Sequence, residues 1–253
     1  MGPAGRLDAV LVCGGRWHDF DFARRELLVA LGEHPQVKTR VFESYDCVPA
    51  LDAADLLVTY TCDVRPDPDQ QEALARFVAR GGRWLALHAT NSAIDPPEPG
   101  RRTFSTPRAL GEVATVLGSQ FLGHPPITPY EVQVAQPHHP LVDGISAFTV
   151  TDELYISELH PPLDVVLHAH YTGTCPGFTE GHTDDDEPRP VLYTRPHGDG
   201  MVTYFTLGHC RGRFDMQDQG IADLGVVDRG SWDVPEYRTI LARCLRWAVT
   251  GTV

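Results

Sequence analysis

The stretch Gly81-Gly82-Arg83-Trp84-Leu85-Ala86-Leu87-His88-Ala89-Thr90-Asn91 combines a helix stop, a buried strand and a polar turn. The two glycines are typical of a helix end, and the apolar run from Trp84 to His88 is typical of a strand that is buried on both faces. Ligands of open parallel sheets bind beyond the carboxyl ends of the strands. We therefore expect His88, at the tip of this strand, to lie at the working edge of a sheet.

Strand-like and helix-like segments alternate on the N-terminal side of this stretch. The strand-like runs are 9–13, 37–42 and 56–60, and helical segments cover 20–31 and 68–80. The second helix is well signalled, because Asp67 can cap it, Pro68 suits its first turn and Gln70 completes a capping box. This alternation predicts an α/β fold with parallel strands and helices on both faces of the sheet.

The second half of the chain has a different order of predicted strands and helices. A loop rich in Pro, Gly and Arg spans 94–107, and a helical segment follows at 108–117. Strand-like runs recur at 130–134, 163–169, 191–194 and 202–206, and a helix is expected over 235–249. The segment His197-Gly198-Asp199-Gly200 separates the last two runs and is typical of a tight hairpin, because glycine tolerates positive φ angles. We expect antiparallel pairing there.

Composition and charge limit the classes of protein to which the chain can belong. Its 253 residues are 42% hydrophobic, which is enough to form one domain, 1–253, with a full core. Lys plus Arg number 21 against 34 Asp plus Glu, and the net charge of −13 disfavours nucleic acid and anionic membranes as partners. The first residues resemble neither a signal peptide nor a myristoylation site, and no apolar run reaches the roughly 20 residues of a membrane helix. We expect a cytoplasmic protein with reduced cysteines.

Polar residues follow the strand-like runs at the positions where a site would form. They are Trp17, His18 and Asp19 after the first run, His88 and Asn91 after the central strand, and His209 and Arg211 after the last run. One such histidine would most simply be a buried structural residue, but several at strand ends indicate a site. The sequence contains no G-x-G-x-x-G, no P-loop lysine pattern and no G-x-S-x-G, so nucleotide binding and a serine nucleophile are disfavoured.

Five segments resemble, in order, the motifs of the ThuA-like (trehalose-utilisation) family. They are 81–89 (GGRWLALHA), 118–125 (GSQFLGHP), 139–148 (HPLVDGISAF), 152–155 (DELY) and 198–209 (GDGMVTYFTLGH). The resemblance implies a flavodoxin-like, class I glutamine amidotransferase-like fold with three layers and a mostly parallel sheet. It also implies a role in the use of disaccharides or glycosides, beside oxidoreductases that make 3-keto sugars. A small-molecule carbohydrate is then the expected ligand.

The resemblance to amidotransferases also argues against one activity, glutamine hydrolysis. In true class I amidotransferases the turn after this strand carries a nucleophilic cysteine, whereas this chain has Ala86-Leu87-His88-Ala89-Thr90. Imidazole cannot replace a thiolate in glutamine hydrolysis, so that activity is disfavoured. Cys62 and Cys210 also fall near strand ends, but their neighbours do not mark either as a nucleophile.

Two chemistries could use the matched residues. In the first, His88 or His209 is a general acid or base that Glu153 or Asp19 orients. Substrate would then be bound by Tyr155, Asn91, Trp17 and Arg211. The sequence contains no compact ligand spacing such as H-x-x-x-H, which favours this first chemistry over the second.

In the second chemistry, histidines hold a divalent metal such as zinc, nickel or manganese, which polarises a sugar carbonyl or hydroxyl. The ligands would be three or four of the histidines His18, His88, His124 and His209. A competing hypothesis is a non-catalytic sugar-binding or regulatory protein that kept the cleft and lost the nucleophile. Assembly into a homo-oligomer is compatible with all three.

Overall fold

The computed structural model describes residues 5–251, which form eleven strands and five α-helices. The strands are β1 (Leu7–Gly15), β2 (Val37–Phe42), β3 (Leu56–Cys62), β4 (Arg83–Leu87), β5 (Ser119–Gly123), β6 (Thr128–Val134), β7 (Phe148–Asp152), β8 (Ile156–Leu159), β9 (Asp164–Ala169), β10 (Arg189–His197) and β11 (Gly200–Phe205). The helices are α1 (Phe20–Gly32), α2 (Val48–Leu51), α3 (Pro68–Ala79), α4 (Gly111–Leu117) and α5 (Pro235–Thr250). The sequence expectation about the extreme N-terminus concerns residues 1–4, which lie outside the described residues.

Nine strands form one sheet in the order β2-β1-β3-β4-β11-β10-β9-β6-β7. The first five are parallel to their neighbours, and the remaining pairings are antiparallel. Strands β5 and β8 form a separate antiparallel pair. The predicted α/β fold with a large, mostly parallel sheet is confirmed, and the carboxyl ends of β1, β3, β4 and β11 lie side by side.

Two apolar clusters cover opposite faces of the large sheet. Helices α1 and α5 pack on one face through residues such as Leu27 and Leu245, and α3 and α4 pack on the other through residues such as Leu74 and Val113. Strands β1, β3 and β4 are buried on both faces, as their near-continuous apolar sequences require. The layered arrangement covers the two faces of the sheet and leaves the carboxyl ends of the strands as the edge where polar residues gather.

Helix α3 carries the capping box that its sequence predicts. The Asp67 carboxylate accepts a hydrogen bond from the Gln70 N–H at 2.8 Å, and the Gln70 side chain accepts one from the Asp67 N–H at 3.0 Å. Helix α4 is shorter than expected and begins at Gly111 instead of residue 108. Gly111 has a φ of 47°, and residues 108–110 form a turn before it.

Strand β10 runs to His197 and β11 starts at Gly200, so Gly198 and Asp199 form the connecting turn between two antiparallel strands. Gly198 has a φ of 59° and lies against the backbone of Ala79, which leaves no space for a side chain. Within residues 5–251, no helix has the length and apolar character needed to cross a membrane.

Candidate functional site

Three non-glycine residues adopt left-handed backbone conformations at the carboxyl ends of adjacent parallel strands. Trp17 follows β1 with φ 66°, Asp63 follows β3 with φ 55°, and His88 follows β4 with φ 46°. Such conformations cost about 1–3 kcal/mol each and cluster at functional sites. His88 is therefore not the last residue of the strand, as expected, but the first residue of a tight 3-10 turn, where the Tyr204 hydroxyl donates to its carbonyl oxygen at 2.6 Å.

Four buried side chains converge at this edge. His18 follows β1, His88 follows β4, Glu153 follows β7 and His209 follows β11, and one nitrogen or oxygen from each lies within 4.8 Å of the others. His88 and His209 are fully buried, and His18 and Glu153 are exposed by only 6% and 4%. Their convergence comes from the topology, because β1, β4 and β11 are separated in sequence but end at the same edge.

The tautomers of His18 and His88 are set by backbone contacts. Nδ1 of His18 lies 3.0 Å from the Arg16 carbonyl oxygen, and Nδ1 of His88 lies 2.9 Å from that of Thr206. A carbonyl oxygen only accepts, so each Nδ1 carries a proton. The two Nε2 atoms, 2.9 Å apart, therefore present lone pairs to each other unless a proton or a cation lies between them.

Glu153 is the charged centre of the cluster. Its Oε2 lies 3.5 Å from His88 Nε2 and 3.8 Å from His18 Nε2, and its Oε1 lies 3.2 Å from His209 Nδ1. Burial alone would raise the pKa of Glu153, but the positive charges of His209 and His124 outweigh it and hold that pKa well below its usual value. The carboxylate is thus ionised although only 4% of its surface is exposed.

The histidines respond differently to the same surroundings. Burial lowers the pKa of His18 to about 3, although Glu153 opposes the shift. Burial would also lower the pKa of His209, but the charge of Glu153 outweighs it and raises that pKa. Neither ring nitrogen of His209 makes a well-aligned hydrogen bond: Nδ1 faces Glu153 Oε1 at 3.2 Å, and Nε2 lies 3.6 Å from Asp228. A buried imidazole that faces an ionised carboxylate in this way belongs to a donor set that could hold a metal ion.

The four donors fit a divalent transition metal. Bonds of about 2.0–2.2 Å in a tetrahedral site separate neighbouring donor atoms by about 3.3 Å. The distances among these donors run from 2.9 Å between the Nε2 atoms of His18 and His88 to 4.8 Å at most. Nδ1 of both rings is held by a carbonyl oxygen, which is the usual support for a metal-binding histidine.

A pocket of about 230 Å³ opens above the cluster. Aromatic side chains form much of its wall, and His18, His124, Glu153, Tyr155 and Arg211 supply polar groups. The aromatic and other apolar lining residues are Trp17, Ile94, Phe104, Phe121, Ile127, Phe178 and Met216. Sequence reasoning missed Phe104, Phe178 and Met216, and the one available signal was an aromatic residue within an otherwise polar loop.

Several predicted site residues lie at this pocket. The Tyr155 hydroxyl is 3.4 Å from His88 Nε2 and 3.5 Å from Glu153 Oε2. Arg211 lies 3.4 Å from Glu153 Oε1 and donates to the Trp17 carbonyl oxygen. His124 Nε2 lies 3.6 Å from Glu153 Oε1, at the outer side of the carboxylate. His124 is thus near the four-donor group but not part of it, and Glu153 takes the fourth position that the metal hypothesis gave to His124.

Two predicted site residues have other partners. Asn91 is fully buried behind the turn, where its amide donates to Ser119 Oγ at 2.7 Å, so it does not line the pocket. The Asp19 carboxylate caps α1 by accepting from the Phe22 N–H at 3.0 Å, and it forms an ion pair with Arg229 at 2.9 Å. Both contacts suit structural roles in shaping the strand ends.

All six cysteines are buried with free thiols. Cys62 lines the pocket, and burial raises its pKa well above the usual value. Burial also raises the pKa of Cys210 to about 12. Neither residue stands in an environment that produces a thiolate near neutral pH.

Several solved structures have a fold similar to that of this chain. A ThuA-like protein from Parabacteroides merdae ATCC 43184 is 16% identical, with a TM-score of 0.64 over 98% of this chain and 91% of its own. Another from Bacteroides uniformis ATCC 8492 is 14% identical, with a TM-score of 0.65 over 100% and 95%. A β-galactosidase from Rahnella sp. R3 is 15% identical, with a TM-score of 0.52, over 95% of this chain and 31% of its own. At these identities the likeness concerns the fold.

No curated protein matches the chain in sequence. The family model for ThuA, described as trehalose utilisation, matches residues 10–223, from β1 to the loop that follows β11. The resemblance seen in the five motifs is confirmed, and the chain belongs to the ThuA (trehalose-utilisation) family.

Proposed function

We propose that this protein is a metal-dependent enzyme that acts on a small sugar or keto-sugar. The proposed ligands are His18, His88, Glu153 and His209, and the ion is divalent, with zinc, nickel and manganese as candidates. The observation that carries the proposal is the 2.9 Å approach of two Nε2 atoms whose Nδ1 atoms are both held by carbonyl oxygens. A cation held between the rings would remove this repulsion, and His209 and Glu153 lie close enough to complete its ligand set.

The residues around the proposed ligands suit a reaction on a polar substrate. When bound, a divalent ion supplies polarisation of a carbonyl or hydroxyl oxygen. His124 lines the pocket and donates through Nδ1 to the Pro125 carbonyl oxygen at 2.7 Å, which leaves Nε2 as the ring nitrogen that can exchange a proton with a substrate. The Tyr155 hydroxyl and the Arg211 guanidinium can donate hydrogen bonds to substrate oxygens. These three side chains replace the roles that the acid–base hypothesis gave to His88 and His209.

The pocket favours a ligand with the size and surface of one sugar ring. Its volume of about 230 Å³ lies below the roughly 300–1,000 Å³ that is usual for drug-sized ligands. Aromatic walls such as Trp17 and Phe121 suit the apolar face of a pyranose, and the polar groups lie at the base. The family's description as trehalose utilisation supports a carbohydrate as the substrate class.

The proposal also covers the fold type, the cellular location and the kind of partner. The order of the parallel strands, β2-β1-β3-β4-β11, has the flavodoxin-like pattern 2-1-3-4-5, which supports a flavodoxin-like fold in a single domain. Six free cysteines are compatible with a reducing compartment, and we propose a cytoplasmic location. The charge of −13 supports a small-molecule partner over nucleic acid or membrane.

Turnover tests the enzymatic proposal. Protein loaded with zinc, nickel or manganese is incubated with trehalose, simple glycosides and their 3-keto derivatives, and products are followed by mass spectrometry. We expect turnover that Glu153→Gln and His88→Ala abolish and that the exposed control His138→Ala retains. Saturable sugar binding with no conversion under any metal would replace the enzyme by the sugar-binding or regulatory alternative.

A further inference from the structure

Asp152 joins the chain segments that carry two of the proposed ligands. It is the last residue of β7, directly before Glu153, and only 1% of its surface is exposed. Its Oδ1 accepts from the Glu153 N–H at 2.7 Å, and both of its oxygens accept from the His209 N–H at 3.2 Å. One buried carboxylate therefore contacts the backbones of Glu153 and His209 together.

A third segment completes this arrangement. The Asp152 Oδ2 also accepts from the Gly208 N–H and from the N–H and hydroxyl of Ser231, which lies before α5. All these partners are N–H or O–H donors, so both oxygens of the buried Asp152 side chain act as hydrogen-bond acceptors. Space beside it is tight, because a Cβ on Gly230 would lie 2.4 Å from the His209 carbonyl oxygen and 3.1 Å from Asp152 Oδ2.

We propose that Asp152 is a positioning residue, which sets the position of the His209 imidazole relative to the Glu153 carboxylate. The inference rests on the proposed function in its reference to metal, but the placement of His209 can be measured without one. Asparagine in place of Asp152 keeps one acceptor oxygen but replaces the other by an NH₂ group, which only donates. Backbone N–H groups that hydrogen-bond to that oxygen in the wild type would then face another donor. Gly208, His209 and Ser231 would then separate from Glu153.

The experiment compares Asp152→Asn with wild type and with Asp143→Asn, an exposed matched control. Long-range ¹H–¹⁵N spectra of the histidine rings are recorded on metal-free protein, and zinc affinity is then measured by competition with a chelating dye. We expect Asp152→Asn to shift the His209 ring resonances and to weaken zinc binding by about 10- to 100-fold, the usual effect of losing outer support for a ligand. Asp143→Asn should change neither measurement.

Unchanged His209 resonances and unchanged zinc affinity in folded Asp152→Asn would overturn the inference. If that variant does not fold, Ser231→Ala removes a single donor to the same oxygen. It should move the His209 resonances by a smaller amount, and an identical spectrum would contradict the proposal. A wild type that binds no metal at all would reject the metal proposal, while the ring spectra would still decide the role of Asp152.

Discussion

The Nε2 atoms of His18 and His88 lie 2.9 Å apart, although the two residues are 70 positions apart in the sequence. Each ring donates its Nδ1 proton to a backbone carbonyl oxygen, so neither can rotate to relieve the contact without losing a buried hydrogen bond. The pair is strained as a metal-free arrangement and well prepared for a cation. This relationship leads to a first prediction about stability.

Zinc should stabilise the wild-type protein against heat. A ligand that binds only the folded state at 100 times its Kd contributes about 2.7 kcal/mol, which raises the melting temperature by several degrees in a protein of this size. Differential scanning fluorimetry with and without excess zinc measures the effect. His88→Ala should lose the increase while His138→Ala keeps it, and an equal increase in both variants would place the zinc elsewhere.

The six thiols should be unreactive in the folded protein. Thiolate is the reactive form, and burial raises the pKa of Cys175 to about 11 and that of Cys210 to about 12, so little thiolate exists at pH 8. Alkylation with iodoacetamide at pH 8, followed by mass spectrometry, should modify no thiol natively and all six in urea. Rapid native modification of Cys62, the thiol that lines the pocket, would revive a cysteine-based mechanism.

Gly15→Ala should be strongly destabilising. Gly15 has a φ of 127°, and an added Cβ would lie 2.0 Å from the Cys62 carbonyl oxygen, so strand β1 would have to move away from β3. We expect a loss of more than about 2 kcal/mol from backbone strain and steric overlap together. Urea denaturation measures it. The control is Gly144→Ala, because Gly144 has a φ of 72° but open space around it. This variant should lose only about 1–2 kcal/mol of unfolding free energy, from its left-handed backbone. Equal losses in the two variants would contradict the argument from the Cys62 contact.

Loss of the N-terminal cap of α3 should lower the free energy of unfolding by less than Gly15→Ala does. Asp67→Ala removes the acceptor for the Gln70 N–H, and such substitutions destabilise by about 0.5–2 kcal/mol. The urea midpoint should fall accordingly, with no change in zinc affinity because Asp67 hydrogen-bonds to Gln70 and is not one of the four donors. An unchanged midpoint would mean that water replaces the cap without penalty.

The loop 212–227 should become more mobile when Asp218 is changed. The Asp218 carboxylate accepts hydrogen bonds from the Trp17 indole at 3.0 Å and from Arg16 at 2.6 Å, and these bonds hold the loop against the rim of the pocket. Asp218→Asn weakens both contacts, so trypsin should cleave faster after the exposed Arg213. Digestion is compared with that of Asp184→Asn, a surface control, and equal cleavage rates in the two variants would show that these contacts do not hold the loop.

Much of the fold could be predicted because its elements carry strong local signals. The capping box at Asp67 and the apolar run of β4 depend on neighbouring residues only, and both are present in the structure. Strands β5, β7 and β8 are short, at four or five residues, and their pairing depends on distant partners. The local sequence pattern could not identify these strands, because tertiary contacts determine whether such short segments become strands.

The candidate site was only partly predictable for the same reason. Strand ends and family motifs selected His18, His88, Glu153 and His209, but sequence spacing could not separate ligands from their neighbours. Glu153 joins the donor group because Asp152, at the end of β7, hydrogen-bonds to His209 in the segment after β11, whereas His124 lies outside the group. Asp19 and Asn91 also follow strands, yet their side chains turn to Arg229 and Ser119.

The most direct test of the account is the metal stoichiometry of the purified protein. Metal-stripped wild type and His18→Ala, His88→Ala and Glu153→Gln variants are titrated with zinc, nickel and manganese by isothermal calorimetry, with His138→Ala as the matched control. The account predicts one tight site per chain for at least one of these ions in wild type and control, weakened at least 10-fold in each ligand variant. Absence of binding in folded wild type, or equal affinity in all variants, would contradict it.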